Sequence, residues 1–218
     1  MTKDKQRMKL LRSIKKQGLI TLGRYYTHKK QYQVADMFYG KALDTDANHL
    51  SASHYHSYAY VLYEAKQFQK ALFYVNEALE AGQRNHSKSF VLRGQIYLKL
   101  KRYAEAEYDL QEAISLENKN SVAYYILGIV FILEKKWHQA IEALQTAEEL
   151  GYDTPKFHHR LGQAHFHMQH FKEAAAYFER AAKDWGEKVK SIFMCKFCFY
   201  VFPEYIFSYL LVLYLVVW

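Results

Sequence analysis

Three glycines, Gly94, Gly128 and Gly162, stand 34 residues apart, and each is followed at fixed offsets by the same kinds of residue. An aromatic comes nine residues later (Tyr103, Trp137, Phe171), an alanine twelve later (Ala106, Ala140, Ala174) and a second alanine nineteen later (Ala113, Ala147, Ala181). Four features held in one register at this period restrict the chain to architectures in which one supersecondary unit is copied and stacked.

One copy reads as two amphipathic helices. Tyr124, Leu127, Gly128 and Phe131 fall at i, i+3, i+4 and i+7, one helical face, and Glu134, Lys135 and Lys136 form a polar turn. Trp137, Ala140, Ile141, Leu144 and Ala147 then repeat the 3.6-residue periodicity. Gly128 and Ala140 are small where two helix axes must approach, and Tyr124, Phe131 and Leu144 fill the space around that contact. A single hairpin cannot cover its own apolar face, so neighbouring copies must do so. Two earlier copies carry the same pattern. Tyr55, Ala59, Leu62, Phe68, Ala71, Val75 and Ala78 make one, with alanine in the glycine position; Leu19, Leu22, Gly23, Tyr26, Tyr32, Ala35, Tyr39 and Ala42 make the first. The steps between copies are 36, 35, 34 and 34 residues, and the extra residues fall in turns around 46–51 and 82–87, where loops tolerate them.

These residues resemble the tetratricopeptide repeat, a 34-residue helix–turn–helix with a large residue, then Leu-Gly, then an aromatic, then alanine and a large residue. The match is Tyr124, Leu127, Gly128, Phe131, Ala140, Leu144 and Ala147 in one copy. In the next it is His158, Leu161, Gly162, His165, Ala174, Phe178 and Ala181; in the one before, Phe90, Gly94, Tyr97, Ala106, Leu110 and Ala113, with Arg93 where leucine is usual. The closing proline is missing at Asn118 and Tyr152, and Pro155 comes three residues late. The resemblance implies an all-α fold, a right-handed superhelical solenoid of about five hairpins over residues 16–186 (16–49, 52–85, 87–120, 121–154 and 155–188), plus a hydrophobic C-terminal helix. It also implies that first-helix side chains line a concave groove for a protein or peptide ligand. The candidate groove residues are Arg24, His56, Tyr60, Tyr63, Gln95, Leu98, Tyr125, Ile129, His159, Gln163 and Phe166, beside Ile20, Thr27, Val91 and Ile132. The lysine and asparagine clamp of the family's chaperone-binding members is absent: the matching positions hold Ile20, Arg24, Ser57, Lys88 and Ile126. An apolar groove suits an amphipathic partner helix.

The net charge of +8 is unevenly placed. Residues 1–30 hold ten lysines and arginines against Asp4, while the repeats are mixed in sign. Residues 1–15 therefore read as a basic, helix-compatible arm with a thin apolar stripe (Met8, Leu11, Ile14). It serves as a cap over the first repeat or as a contact for anionic headgroups; so local a basic excess gives no expectation of nucleic acid. No catalytic constellation, cofactor motif or small-molecule site is expected. The histidines of the last copy (His158, His159, His165, His167, His170) occupy packing, groove and turn positions, so no metal is expected. From 191 the composition turns apolar, and residues 197–218 are long enough as a helix to span a bilayer, with Lys183, Lys188 and Lys190 placing the repeats on the cytoplasmic side. A truncated or out-of-frame ending and a buried packing helix are the other readings of this tail. Cys195 and Cys198 within it have metal or redox spacing but no second pair. The function expected is a protein-interaction scaffold. The alternative is the non-catalytic repeat portion of a larger enzyme, such as a bacterial surface-polysaccharide glycosyl- or phosphotransferase.

Overall fold

The computed structural model describes residues 3–45 and 50–183. Among the described residues there are ten helices and no strand: α1 (Lys3–His28), α2 (Tyr32–Asp44), α3 (Ala52–Glu64), α4 (Phe68–Ala81), α5 (Ser87–Lys99), α6 (Tyr103–Leu116), α7 (Ser121–Leu133), α8 (Trp137–Glu149), α9 (Pro155–His167) and α10 (Phe171–Lys183). Consecutive helices pair as five hairpins. The chain divides into two compact units, Met1–Asn118 with α1–α6 and Lys119–Trp218 with α7–α10.

The turn inside every hairpin is the same. Lys30, Lys66, Lys101, Lys135 and Gln169 have φ between 58° and 62°, the left-handed region. The next amide reaches back five residues to close the helix end: Gln31 to Tyr26, Gln67 to Leu62, Arg102 to Tyr97, Lys136 to Phe131 and His170 to His165, at 2.8–2.9 Å. This six-to-one bond satisfies a carbonyl that the ending helix would otherwise orphan. The polar turn expected at residues 134–136 is therefore a sharp left-handed corner, built without glycine.

The repeated glycines meet the residue sixteen positions on. A Cβ on Gly128 would sit 2.6 Å from Leu144 Cγ, and one on Gly94 would sit 3.0 Å from Leu110 Cγ; Gly23 faces Tyr39 and Gly162 faces Phe178 in the same way. The sequence suggested Ala140 as the close partner of Gly128. Instead, the Ala140 carbonyl lies at 3.4 Å and the Leu144 side chain takes the space. In the copy with Ala59, the residue sixteen on is the smaller Val75, and both are fully buried. Small and large are thus matched within each hairpin, as close packing requires.

In the first unit, Tyr39, Tyr58 and Tyr74 stack across α2, α3 and α4, with centroids 5.2 and 4.5 Å apart, and the Tyr58 hydroxyl donates to Asp36 at 2.8 Å. Arg93, the departure from leucine, forks onto Asp109 of α6 through Nε and Nη2, both at 2.7 Å, and donates through Nη1 to Asn76 of α4 at 2.8 Å. Asp109 is buried, so the substituted cation is neutralised where it would otherwise be stranded. Within α1, every residue from 5 to 15 is exposed, and the first core residue is Ile20. The basic arm and the first helix of the first hairpin are one continuous helix.

In the second unit, Tyr125 of α7, Tyr152 and Phe157 of α9 form an aromatic cluster, with Tyr125 stacked on Tyr152 at 4.5 Å. The late proline opens a helix rather than closing one. Pro155 is in the first turn of α9, where its missing N–H costs nothing, and Thr154 caps that helix by accepting from the Phe157 amide at 3.2 Å. Tyr177 and Arg180 of α10 both donate to Glu148 of α8, at 3.0 and 3.1 Å.

No helix among the described residues is long and apolar enough to cross a membrane. Residues 197–218, with Cys195 and Cys198, lie outside the described residues.

Candidate functional site

In the first unit, α1 packs beside α3 and α3 beside α5. Beside α1 and α3 lies an open hollow of about 490 Å³ lined by Arg24, Thr27 and His28 of α1, His56, Ser57 and Tyr60 of α3, and Lys30, Tyr32 and Tyr39. Three of the candidate groove residues, Arg24, His56 and Tyr60, thus share one cavity. Tyr39 is its fully buried floor. Arg24 and Tyr60 are exposed; Tyr63, Gln95 and Leu98 are half-buried on α3 and α5. Tyr63 leans on Phe68 at a centroid distance of 5.9 Å.

His56 is engaged from below. Its Nδ1 lies 3.1 Å from the hydroxyl of Ser89, and His86 Nδ1 lies 2.7 Å from the same oxygen. Ser89 is fully buried and has a single hydroxyl proton, so at most one of the two rings accepts from it. A ring that accepts from the hydroxyl must be neutral. Burial pushes His56 down to about 4, with His86 and Lys88 adding to the effect. Burial lowers His86 as well, again with Lys88 contributing.

Charge is sorted by helix. In the first unit, α1, α3 and α5 carry eleven lysines and arginines against two acids, Asp4 and Glu64. Helices α2, α4 and α6 carry eight acids against Lys41 and Lys70. The mixture of signs read along the sequence is therefore a segregation between first and second helices. Glu64 faces the hydroxyls of Tyr32 and Tyr60 at the edge of the hollow and raises both phenols, after burial itself.

In the second unit the candidate positions are more fully occupied by packing. Tyr125 belongs to the aromatic cluster described above, and Ile129 is half-buried beside buried Ile132. His159 lies 5.7 Å from the Phe178 ring, Gln163 accepts from Arg160 at 3.1 Å, and Phe166 packs edge-on to Phe171 at 5.8 Å. His158 and His165 are buried and lie nearly parallel to the Tyr177 ring, 6.1 and 5.5 Å away. The hairpin turn also brings His170 to His165, with Nδ1 atoms 3.4 Å apart, a meeting that the spacing alone did not suggest. Among the described residues no three His, Cys, Asp or Glu side chains converge as a metal site would require.

Hairpins of two helices, recurring with a small residue facing a large one and a left-handed corner between them, define an all-α helical-repeat protein with a ligand-sized hollow on its first helices. Residues 28–113 match the family model for anaphase-promoting complex, cyclosome, subunit 3, and residues 155–183 match that of the tetratricopeptide repeat. The chain is 28% identical over 120 residues to the TPR repeat-containing protein YpiA of Bacillus subtilis; the match covers 55% of this chain and 28% of that protein, so the chain spans about a quarter of its curated relative. PilF of Pseudomonas aeruginosa has a similar solved structure, with a TM-score of 0.72 at 23% identity over 93% of this chain and 91% of that one. YrrB, described as a TPR protein with an unusual peptide-binding site, has a TM-score of 0.59 at 20% identity over 76% and 84%. This chain belongs to the tetratricopeptide-repeat proteins.

Proposed function

We propose that the chain is a non-catalytic protein-interaction module that holds a peptide or partner helix against the first helices of its first unit. The observation that carries this reading is the hollow in which Arg24, His56 and Tyr60 converge. A cleft of this size, walled by tyrosine rings and by polar and cationic side chains, suits a side-chain anchor of a peptide. Tyr60 is the natural probe because its side chain is exposed at the hollow. Partner capture from lysate with the intact chain and with Tyr60→Ala is expected to lose specific partners while helical content is unchanged. Equal capture by both proteins would sink the reading. Tyr125→Ala is a poor substitute, since removing that ring opens the cluster with Tyr152 and Phe157.

The remaining candidate positions, Tyr63, Gln95 and Leu98 in the first unit and Ile129, His159, Gln163 and Phe166 in the second, are proposed as further contacts. We also propose residues 197–218 as a membrane tether, a reading supported by their composition alone. Membrane fractionation with and without residues 191–218 tests it; equal solubility of the two proteins argues against it. A second reading, that these repeats serve a longer protein with its own catalytic domain, is favoured by the chain's span of about a quarter of its curated relative. A catalytic domain encoded in frame beyond the repeats in related genes would support it.

A further inference from the structure

We infer that the ligand of the first unit is an acidic peptide segment, one carrying Asp or Glu beside apolar residues. This rests on the groove reading above and narrows it. Three observations point the same way.

The hollow is lined by the cations Arg24 and Lys30 and by His28, with no acid in its wall. Among the described residues, none of the three has a carboxylate partner, although the same unit holds ten acids on its helices. Local ion pairing has not consumed the positive charge on this side.

The sorting of charge by helix extends the effect beyond the hollow. Eight of the ten acids lie on second helices, and the fork of Arg93 onto Asp109 shows how a first-helix cation is neutralised when it points inward. Cations that line the hollow instead keep their field for a ligand. A concave wall of one sign over low-dielectric packing focuses that field and favours an oppositely charged partner.

The neutral groups fit a peptide better than a nucleic acid. The Tyr32, Tyr39 and Tyr60 rings give the hollow apolar surface beside the cations, while the Thr27 and Ser57 hydroxyls donate to the carbonyls of Gly23 and Ser53 at 2.8 and 2.9 Å. A peptide carboxylate accepts from the Arg24 guanidinium and the Lys30 ammonium at short range. A nucleic-acid strand would need a continuous track of cations at phosphate spacing with open stacking faces. Here α3, the middle of the three first helices, carries no lysine or arginine at all.

The test uses the full chain and three fluorescein-labelled peptides with the same leucine spacing, whose other positions are all glutamate, all glutamine or all lysine, together with a labelled oligothymidylate. Fluorescence anisotropy is expected to rank the glutamate peptide at least about tenfold above the glutamine one, and the gap should close in concentrated salt. Arg24→Glu with Lys30→Glu should remove that gap while the far-ultraviolet circular dichroism is unchanged, because both side chains are exposed. Glu64→Gln, which removes the one acid beside the hollow, should tighten the glutamate peptide about threefold. Equal binding of the glutamate and glutamine peptides, both weakened by Tyr60→Ala, would overturn the acidic class and leave the groove reading standing. Binding of no peptide would overturn both. Preference for oligothymidylate over the glutamate peptide would replace the peptide with a nucleic acid.

Discussion

The hairpins α5–α6 and α7–α8 have the same period and the same turn and differ in length by one residue, and they solve the same positions with different chemistry. Arg93 and Asp109 in the first correspond, 34 residues on, to Leu127 and Ala143 in the second. One pair is a bidentate ion bridge anchored further on Asn76, with Arg93 half-buried; the other is apolar and buried at both positions. Ser89, which joins two imidazoles, corresponds to Ala123. His86, at the N-cap of α5, makes no capping bond with its side chain, whereas Asn120 at the N-cap of α7 accepts from the Ala123 amide at 3.1 Å. The period dictates where a side chain sits and how much room it has. Polarity is free to vary as long as each buried polar group finds its partner.

The largest effect should come from breaking the ion bridge on one side. Asp109→Ala leaves Arg93 half-buried without its carboxylate and is expected to cost about 3–5 kcal/mol, read from urea denaturation followed by circular dichroism. Importing the other hairpin's solution, Arg93→Leu with Asp109→Ala, should recover most of that loss. If the double variant is no more stable than the single, the two hairpins are not interchangeable at this position.

Acid should separate the hairpins next. His56 is neutral when folded because its imidazole is held near 4, below the ordinary value of 6.5. A group lowered in this way contributes stability that is complete above the unfolded value and is lost as the pH falls from 6.5 towards 4. The loss is on the order of 2–3 kcal/mol for this residue. His56→Gln should give a shallower decline over that window, and an unchanged slope would rule out His56 as its source. The α7–α8 hairpin has no imidazole at the equivalent positions, which hold Asn120, Ala123 and Tyr125.

The glycines provide a finer comparison. Gly128→Ala puts a methyl 2.6 Å from Leu144 Cγ, while Gly94→Ala puts one 3.0 Å from Leu110 Cγ. Overpacking of this kind costs roughly 1–3 kcal/mol, and the tighter site should lie at the upper end and the looser near the lower. Equal melting temperatures for the two variants would show that the leucines yield equally. Smallest of all, Lys101→Gly and Lys135→Gly should each stabilise by up to about 1 kcal/mol, since glycine carries no penalty at φ near 60°. A different sign in the two hairpins would mean that one lysine side chain does more than occupy the corner.

Much of this architecture could be read from residue spacing, and particular residues show where reading stopped. The five hairpins and the buried alanines, Ala106, Ala113, Ala140 and Ala147, were legible because helical periodicity is a local signal written within about seven residues. The left-handed corners at Lys66, Lys101 and Lys135 were not, because lysine carries no propensity for that conformation and the surrounding hairpin imposes it. Arg93 read as an imperfect repeat until Asp109 and Asn76 were seen around it, a contact that joins three helices. Among the candidate groove residues, the sequence placed them all on first helices with equal standing. Arg24, His56 and Tyr60 came together around a hollow, while Tyr125 turned into its neighbours' aromatic cluster.

By itself, then, the sequence determined the repeat, its register and the small-to-large matching at each helix crossing, since these depend on side-chain size at fixed spacing along one helix. Only the tertiary structure decided which first-helix side chains remain open, where each buried charge is neutralised and that Arg24 and Lys30 face the hollow. Those outcomes depend on groups that are distant along the chain and adjacent in space, and no local period records them.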